Sequence, residues 1–298
     1  MKKIKKIDIH AHCNIYGDIA PNYLYNPTTL ITPEKLLEFY DKLNIEKGVL
    51  LPIVSPDAHH QLLTSEATKT AVDKYPDRFL WFCNADPRQY ATGKNDKPDY
   101  KHIIAHYKSL GAKGFGEFTT NLPVEDERMQ RLFGICQELN LPVTIHISPA
   151  VGTSYGIVDD KGLPQLEKTL KKFPKLKILG HSQLFWTEIS KSDKRELYPW
   201  GKVEEGNLAR LLRDNENLLC DVSAGSGNRA FMRDPEYCAK FVEEFSDRIF
   251  YGCDICSELN THPFVFEEFL DKMVEDKMIS IDNYNKFVRL NAEKLLGL

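Results

Sequence analysis

Short apolar runs recur along the chain at residues 4–12, 48–54, 79–84, 114–118, 142–148, 176–181, 218–223 and 249–254. Successive starts lie about 30 to 45 residues apart, the length of a βα unit. Each run is rich in Val, Ile, Leu or Phe, as strands covered on both faces are. The intervals carry helical patterns. Thr32-Pro33-Glu34 supplies an N-cap hydroxyl, a proline at the first helical position and an acid in the first turn. Leu36, Leu37, Phe39, Tyr40 and Leu43 then form an apolar stripe, and Met129, Leu132, Phe133, Cys136 and Leu139 form another. Further stripes follow at Leu166, Leu170 and Phe173, at Leu208, Leu211 and Leu212, and at Phe241, Val242 and Phe245. Eight alternating β and α segments predict an α/β protein of (β/α)₈ barrel type, one domain over residues 1–298. A doubly wound open sheet is the alternative, but no G-x-G-x-x-G follows the first strand.

Composition narrows the function. The chain has 298 residues, 42% of them hydrophobic and 28% charged, as in an ordinary globular protein. A net charge of −4 and the lack of a basic stripe argue against nucleic acid as a partner. No apolar run is long enough to span a bilayer. The lysine-rich start lacks an apolar segment behind it and reads as the lead into a strand, not as a signal peptide. Seven scattered cysteines fit reduced thiols and a cytoplasmic protein, and Cys253-x-x-Cys256 has no second pair to make a metal knuckle. The expected partner is a small-molecule substrate, and a homo-oligomer is compatible with the composition.

The chemistry gathers at strand ends. Side chains alternate along a strand, so Asp8, His10 and His12 are expected on one face, with Ile9 and Ala11 on the other. Two imidazoles so placed converge on one ion. Glu117 ends the fourth run, on the face of Phe115. His146 ends the fifth, His181 the sixth and Asp254 the eighth. Strand C-termini are where barrel enzymes build their sites. Imidazole nitrogen mixed with carboxylate oxygen suits a divalent metal, Zn²⁺ first, then Mn²⁺ or Fe²⁺.

The segments Ile7-Asp8-Ile9-His10-Ala11-His12, His146, Leu179-Gly180-His181-Ser182, Tyr251-Gly252-Cys253-Asp254 and Asn291–Leu298 come in an order that resembles the amidohydrolase superfamily. The closest likeness is to its amidohydrolase-2 branch of metal-dependent barrel enzymes. The resemblance spans the chain and implies a distorted barrel with His10, His12 and Asp254 as metal ligands. It allows two arrangements. With one ion, His146 is a further ligand and His181 handles protons. With two, Glu117 bridges and both His146 and His181 hold the second. By the same resemblance Asp254 both binds metal and takes the proton of the attacking water. The implied activity is hydrolysis of a small carbonyl compound such as a lactone, amide or ester. A non-hydrolytic lyase of the same branch, decarboxylating or hydrating an aromatic or unsaturated acid, is the alternative. A TatD-type nuclease has matching residue types but lacks support from charge.

Loops after the strands should select the substrate. Tyr16, Asp18, Tyr23 and Tyr25 follow the first strand, then Asp57, His59 and His60, then Asn84, Asp86 and Arg88. Tyr155, Asp159, Gln183, Phe185, Trp186 and Glu188 come later. Residues 223–229 read as a glycine-bearing loop that lets a ligand approach the backbone. Arg88 and Arg229 are candidates for a substrate carboxylate, and Trp186 for a pocket wall.

Overall fold

The expected strands form where the apolar runs lie: β1 (Lys6–Ala11), β2 (Ile45–Leu50), β3 (Phe79–Trp81), β4 (Phe115–Phe118), β5 (Val143–Ser148), β6 (Ile178–His181), β7 (Leu218–Val222) and β8 (Ile249–Tyr251). A computed structural model describes residues 4–16, 30–59, 62–89, 99–195, 197–198 and 200–298. All neighbouring strands within β1–β3 and within β4–β8 are parallel. Two thin seams join these sheets into a ring. At one, Cys83 N–H donates to the Gly114 carbonyl (3.0 Å) and Gly116 N–H to that of Cys83 (2.9 Å). At the other, Asp254 N–H donates to the His10 carbonyl (2.7 Å) and His12 N–H to that of Ile255 (3.0 Å). The fold is thus a distorted (β/α)₈ barrel. β2 begins at Ile45, three residues before its apolar run.

Helices α1 (Pro33–Lys42), α2 (Ser65–Lys74), α3 (Tyr100–Ser109), α4 (Glu127–Glu138) and α5 (Pro164–Lys172) pack outside the ring. They are followed by the short α6 (Gln183–Trp186), then α7 (Asn207–Asp214), α8 (Ala224–Met232), α9 (Pro235–Phe245) and α10 (His262–Glu275). The start of α1 is as the sequence implied: Thr32 Oγ1 accepts the N–H of Lys35 and Pro33 opens the helix. Such a cap contributes about 1 kcal/mol. Residues 223–229 are a correction. All but the first lie in α8, and Gly227 is needed because a Cβ there would come within 2.9 Å of the β7 backbone at Val222.

Two apolar layers report which way each side chain points. Ile7, Ile9, Val49, Leu51, Phe82, Leu179, Leu219 and Phe250 cluster inside the ring, and Ala292 and Leu296 of the C-terminal helix join them. The larger layer lies between strands and helices and holds Ala11, Phe115, Phe118, Ile145, Ile178, Cys220 and Tyr251. Simple alternation fails in two strands. In β1 the register slips between Asp8 and Ala11, where three residues face two of β2. Ile9 therefore points inward together with the two histidines that follow it. Asp8 turns instead to the helices, where the Tyr40 hydroxyl donates to it at 2.7 Å. In β4 a similar slip between Phe115 and Phe118 puts both rings in the outer layer, 5.0 Å apart, and leaves Glu117 inside. The expected pairings of Asp8 with His10 and of Glu117 with Phe115 on common faces are both corrected. A β-bulge adds one residue, and one residue reverses the face.

Among the described residues no helix is long and apolar enough to cross a membrane.

Candidate metal centre

At the C-terminal mouth of the ring, β1 contributes two buried imidazoles. His12 Nδ1–H donates to the Leu51 carbonyl (2.7 Å). His10 Nδ1–H donates to the carboxylate of Asp221 on β7 (2.6 Å). With Nδ1 so engaged, each Nε2 is the atom left to face an ion, or to carry a proton when no ion is bound. These two Nε2 atoms lie only 3.0 Å apart. Two lone pairs at that distance repel unless a cation lies between them.

Two carboxylates complete the group. Glu117 Oε2 is 3.5 Å from His10 Nε2 and 3.4 Å from His12 Nε2. Asp254 Oδ1 is 3.6 and 3.5 Å from the same atoms. Donors about 2.0–2.1 Å from a tetrahedral ion stand roughly 3.4 Å from one another. The second oxygens face His181, whose Nε2 is 3.9 Å from Glu117 Oε1 and 3.7 Å from Asp254 Oδ2. His181 Nδ1 is bonded to Ser223 Oγ at 3.0 Å. Donor atoms of His10, Glu117 and His181, and of His10, His12 and Asp254, lie within 4.8 Å of one another. His146 belongs to neither triad. Its ring lies 5.6 Å from that of His181 and 4.3 Å from that of Tyr155.

Charge makes the same point. Glu117, Asp221 and Asp254 bring three carboxylates together, and the first two are buried. Burial disfavours the Glu117 anion, yet the hydrogen bonds and charge of His10 and the bond to His12 hold its carboxyl well below the usual range. Burial likewise opposes a charged His10, and Asp221 and then Asp254 outweigh it, raising that imidazole's pKa. His146 differs: burial dominates and lowers it to about 4. Glu117 Oε1 is buried without a hydrogen-bond partner. A site so rich in buried anion needs a cation for balance. Asp254 is the most exposed of the three carboxylates. Its side chain is 23% exposed, and a left-handed backbone (φ 51°) turns it toward the cleft as β8 ends. Asp tolerates that conformation better than most residues.

The cleft consists of two adjoining cavities of about 280 and 380 Å³, both bordered by His146, Tyr155, His181 and Asp254. The predicted substrate arginines are elsewhere. Arg88 Nη2 is held at 2.6 Å by Asp57 and at 2.6 Å by Asp86. Arg229 is exposed and stacks on Tyr198, 4.9 Å from the ring centre. Neither borders either cavity of the cleft. Trp186 is fully buried: its Nε1–H donates to the Asp221 carbonyl (3.1 Å) and it packs on Phe231. It supports β7 from outside instead of walling the pocket. Of the candidate substrate-facing residues, His59, Tyr155 and Gln183 line the cleft, and Asp159 caps α5. Asp18, Tyr23, Tyr25 and His60 lie outside the described residues.

Sequence reasoning overlooked Asp221, Ser223 as a partner of His181, and Arg195. The first two carried a usable signal. In Leu219-x-Asp221-x-Ser223 the inward positions turn polar toward the strand end, as they do in β5 and β6.

An amidohydrolase family model (Amidohydro_2) matches residues 7–298. The chain belongs to the amidohydrolase family. It is an enzyme. No curated protein is similar enough in sequence to count as a relative. Solved structures resemble it in fold. A probable 2-pyrone-4,6-dicarboxylic acid hydrolase from Acinetobacter baumannii, with citric acid bound, has a TM-score of 0.63 at 15% identity, covering 99% of this chain and 100% of that one. An amidohydrolase from Burkholderia multivorans with bound zinc has a TM-score of 0.62 at 12% identity, covering 99% and 100%. A 5-carboxyvanillate decarboxylase from Novosphingobium aromaticivorans with bound manganese has a TM-score of 0.61 at 17% identity, covering 98% and 97%.

Proposed function

We propose that this enzyme is a metal-dependent hydrolase of a small carbonyl compound, a lactone, amide or ester, and that His10, His12, Glu117 and Asp254 hold its ion. The observation that carries this reading is the pair of imidazole Nε2 atoms 3.0 Å apart, each 3.4 to 3.6 Å from an oxygen of Glu117 and from an oxygen of Asp254. Such separations suit donors that share one ion. A divalent ion in such a site acts as a Lewis acid and brings the pKa of water toward about 7. Zinc suits the mixed nitrogen and oxygen set, and manganese or iron would also be accepted.

The protein's own groups divide the remaining work. Asp254 is open to the cleft and accepts a proton from water. His181, steadied by Ser223, faces Asp254 Oδ2 and passes a proton to the leaving oxygen or nitrogen. Asp221 keeps His10 in the tautomer that leaves Nε2 bare. His146, neutral and lining both cavities, faces the substrate. A binuclear form is favoured by one observation, the unpartnered Glu117 Oε1. A second ion there would be held by Glu117, His181 and His146.

A lyase reading has its own support. Arg195 lines the larger cavity, and the fold neighbours include a decarboxylase of an aromatic acid. A nuclease is disfavoured, because among the described lining residues Arg195 is the single Lys or Arg of the cleft. We read the chain as one cytoplasmic catalytic domain.

Two measurements test this function. Elemental analysis of the purified protein is expected to find one divalent transition ion per chain, or two for the binuclear form. A panel of lactones, amides, esters and aromatic acids, with wild type and His181→Ala, separates acid release from carbon dioxide release. Protein that takes up no metal would sink the reading.

A further inference from the structure

The larger cavity extends away from the histidine cluster. Its walls are apolar at Ile147, Pro149 and Leu184 and polar at Gln183, Arg195 and Tyr198. Arg195 is half-buried there. Its Nη2–H donates to the backbone carbonyl of Asp159 at 2.8 Å. The carboxylate of Asp159 is turned away, accepting the N–H groups of Leu166 (2.8 Å) and Gln165 (3.1 Å) at the start of α5. Among the described residues no carboxylate lies within ion-pair distance of Arg195, and its Nε is buried with no hydrogen-bond partner. Arg88 and Arg233 behave differently, each with an aspartate at 2.8 Å or less.

Buried Glu188 offers Arg195 only a longer-range attraction, and a guanidinium with an unused N–H and no direct anionic partner in a half-buried cleft favours the arrival of an anion. The planar fork of arginine matches a carboxylate. A single cation neutralises one negative charge, so a carboxylate suits the lobe better than a doubly charged phosphate. We propose that Arg195 binds a carboxylate of the substrate, which is therefore a small acid bearing that group in addition to the carbonyl or carboxyl carbon that reacts. The proposal rests on the reading of this cleft as the substrate site. It holds for a hydrolase and for a lyase, because the anchored carboxylate is not the reacting group.

The test compares two probes of nearly equal shape, isophthalate and 3-carbamoylbenzoate, by titration calorimetry on zinc-treated protein. Each brings one carboxylate, and only isophthalate brings a second. Isophthalate is expected to bind about tenfold more tightly, the scale of one charge-assisted contact. Arg195→Gln should erase that preference, and Arg195→Lys should keep part of it. Melting temperatures of the variants verify folding. A preference unchanged in Arg195→Gln, equal binding of the two probes by wild type, or no isophthalate binding at millimolar concentration would each overturn the proposal. Metal content of the same samples separates the two readings. An Arg195-dependent preference in protein that takes up no zinc sinks only the metal-dependent function, and zinc uptake without the preference sinks only the role of Arg195.

Discussion

The strands that build this site are of two kinds. In β5 to β7 the face alternates without interruption and points His146, His181 and Asp221 inward, while Asp254 follows the end of β8 and is turned in by its left-handed backbone. In β1 and β4 a register slip intervenes, and it is these two strands that bring in His10, His12 and Glu117. The bulged strands supply the donors that crowd to 3.0–3.6 Å, with Asp254 closing the group from β8. Among the regular strands, β5 and β6 supply histidines that stand farther off. A bulge re-aims a side chain without moving the strand. That allows β1 to pack Ile9 inside the ring and still turn both His10 and His12 into its mouth.

The largest expected effect falls on the bulged side. His10→Ala should lose bound metal on dialysis and lose several kcal/mol of transition-state stabilisation, about a thousandfold in rate. Elemental analysis and turnover check both, and a metal-replete, active variant would refute the role of β1. Across the ring, Asp221→Asn keeps the volume and removes the charge that holds His10. Metal affinity is expected to fall about 10- to 100-fold, read by competition with a chromophoric chelator.

The regular side is distinguished by pH. His146 is neutral when folded, with its pKa lowered by burial from 6.5 to about 4. Unfolding exposes it to protonation, so the unfolded state binds more protons between those values. Its contribution is complete above about pH 6.5 and is lost as pH falls toward about 4. In metal-free protein this amounts to at most about 3 kcal/mol. Urea melts at pH 7 and pH 4.5 should differ less in His146→Gln than in wild type, and equal differences would refute a neutral buried His146.

The smallest effect tests the bulge in β1 itself. Tyr40→Phe removes the donor to Asp8 Oδ2 on the helix side of the strand. Stability should fall by about 1–3 kcal/mol while metal content stays the same. Loss of metal in this variant would place Asp8 among the ligands and contradict the slip.

Much of this was legible from residue order. The eight apolar runs mark the eight strands of the ring, and Thr32-Pro33 marks the start of α1. His146 and His181 are legible because nothing interrupts the pleat before them, and Asp254 because it closes the last apolar run. His10 and His12 were found as a pair for a partly mistaken reason, since their face is not that of Asp8. Residues 223–229 read as a loop because glycine weakens a helix locally, and packing against β7 and Trp186 overrides that preference. Arg88 and Arg229 looked as available as any arginine, because Asp57 and Tyr198 reach them from other loops, although Asp86 stands two residues from Arg88.

The sequence alone determined the alternation of elements, the barrel class and the polar residues at the strand ends, because burial imposes a periodic pattern that a single chain displays. Only the tertiary structure decided which of those residues share a face, which donors approach to 3.0–3.6 Å, and that the arginine of the cleft has no carboxylate within ion-pair distance among the described residues. Those outcomes depend on register slips of one residue and on partners as far apart as His10 and Asp254, and neither leaves a local trace in the order of the amino acids.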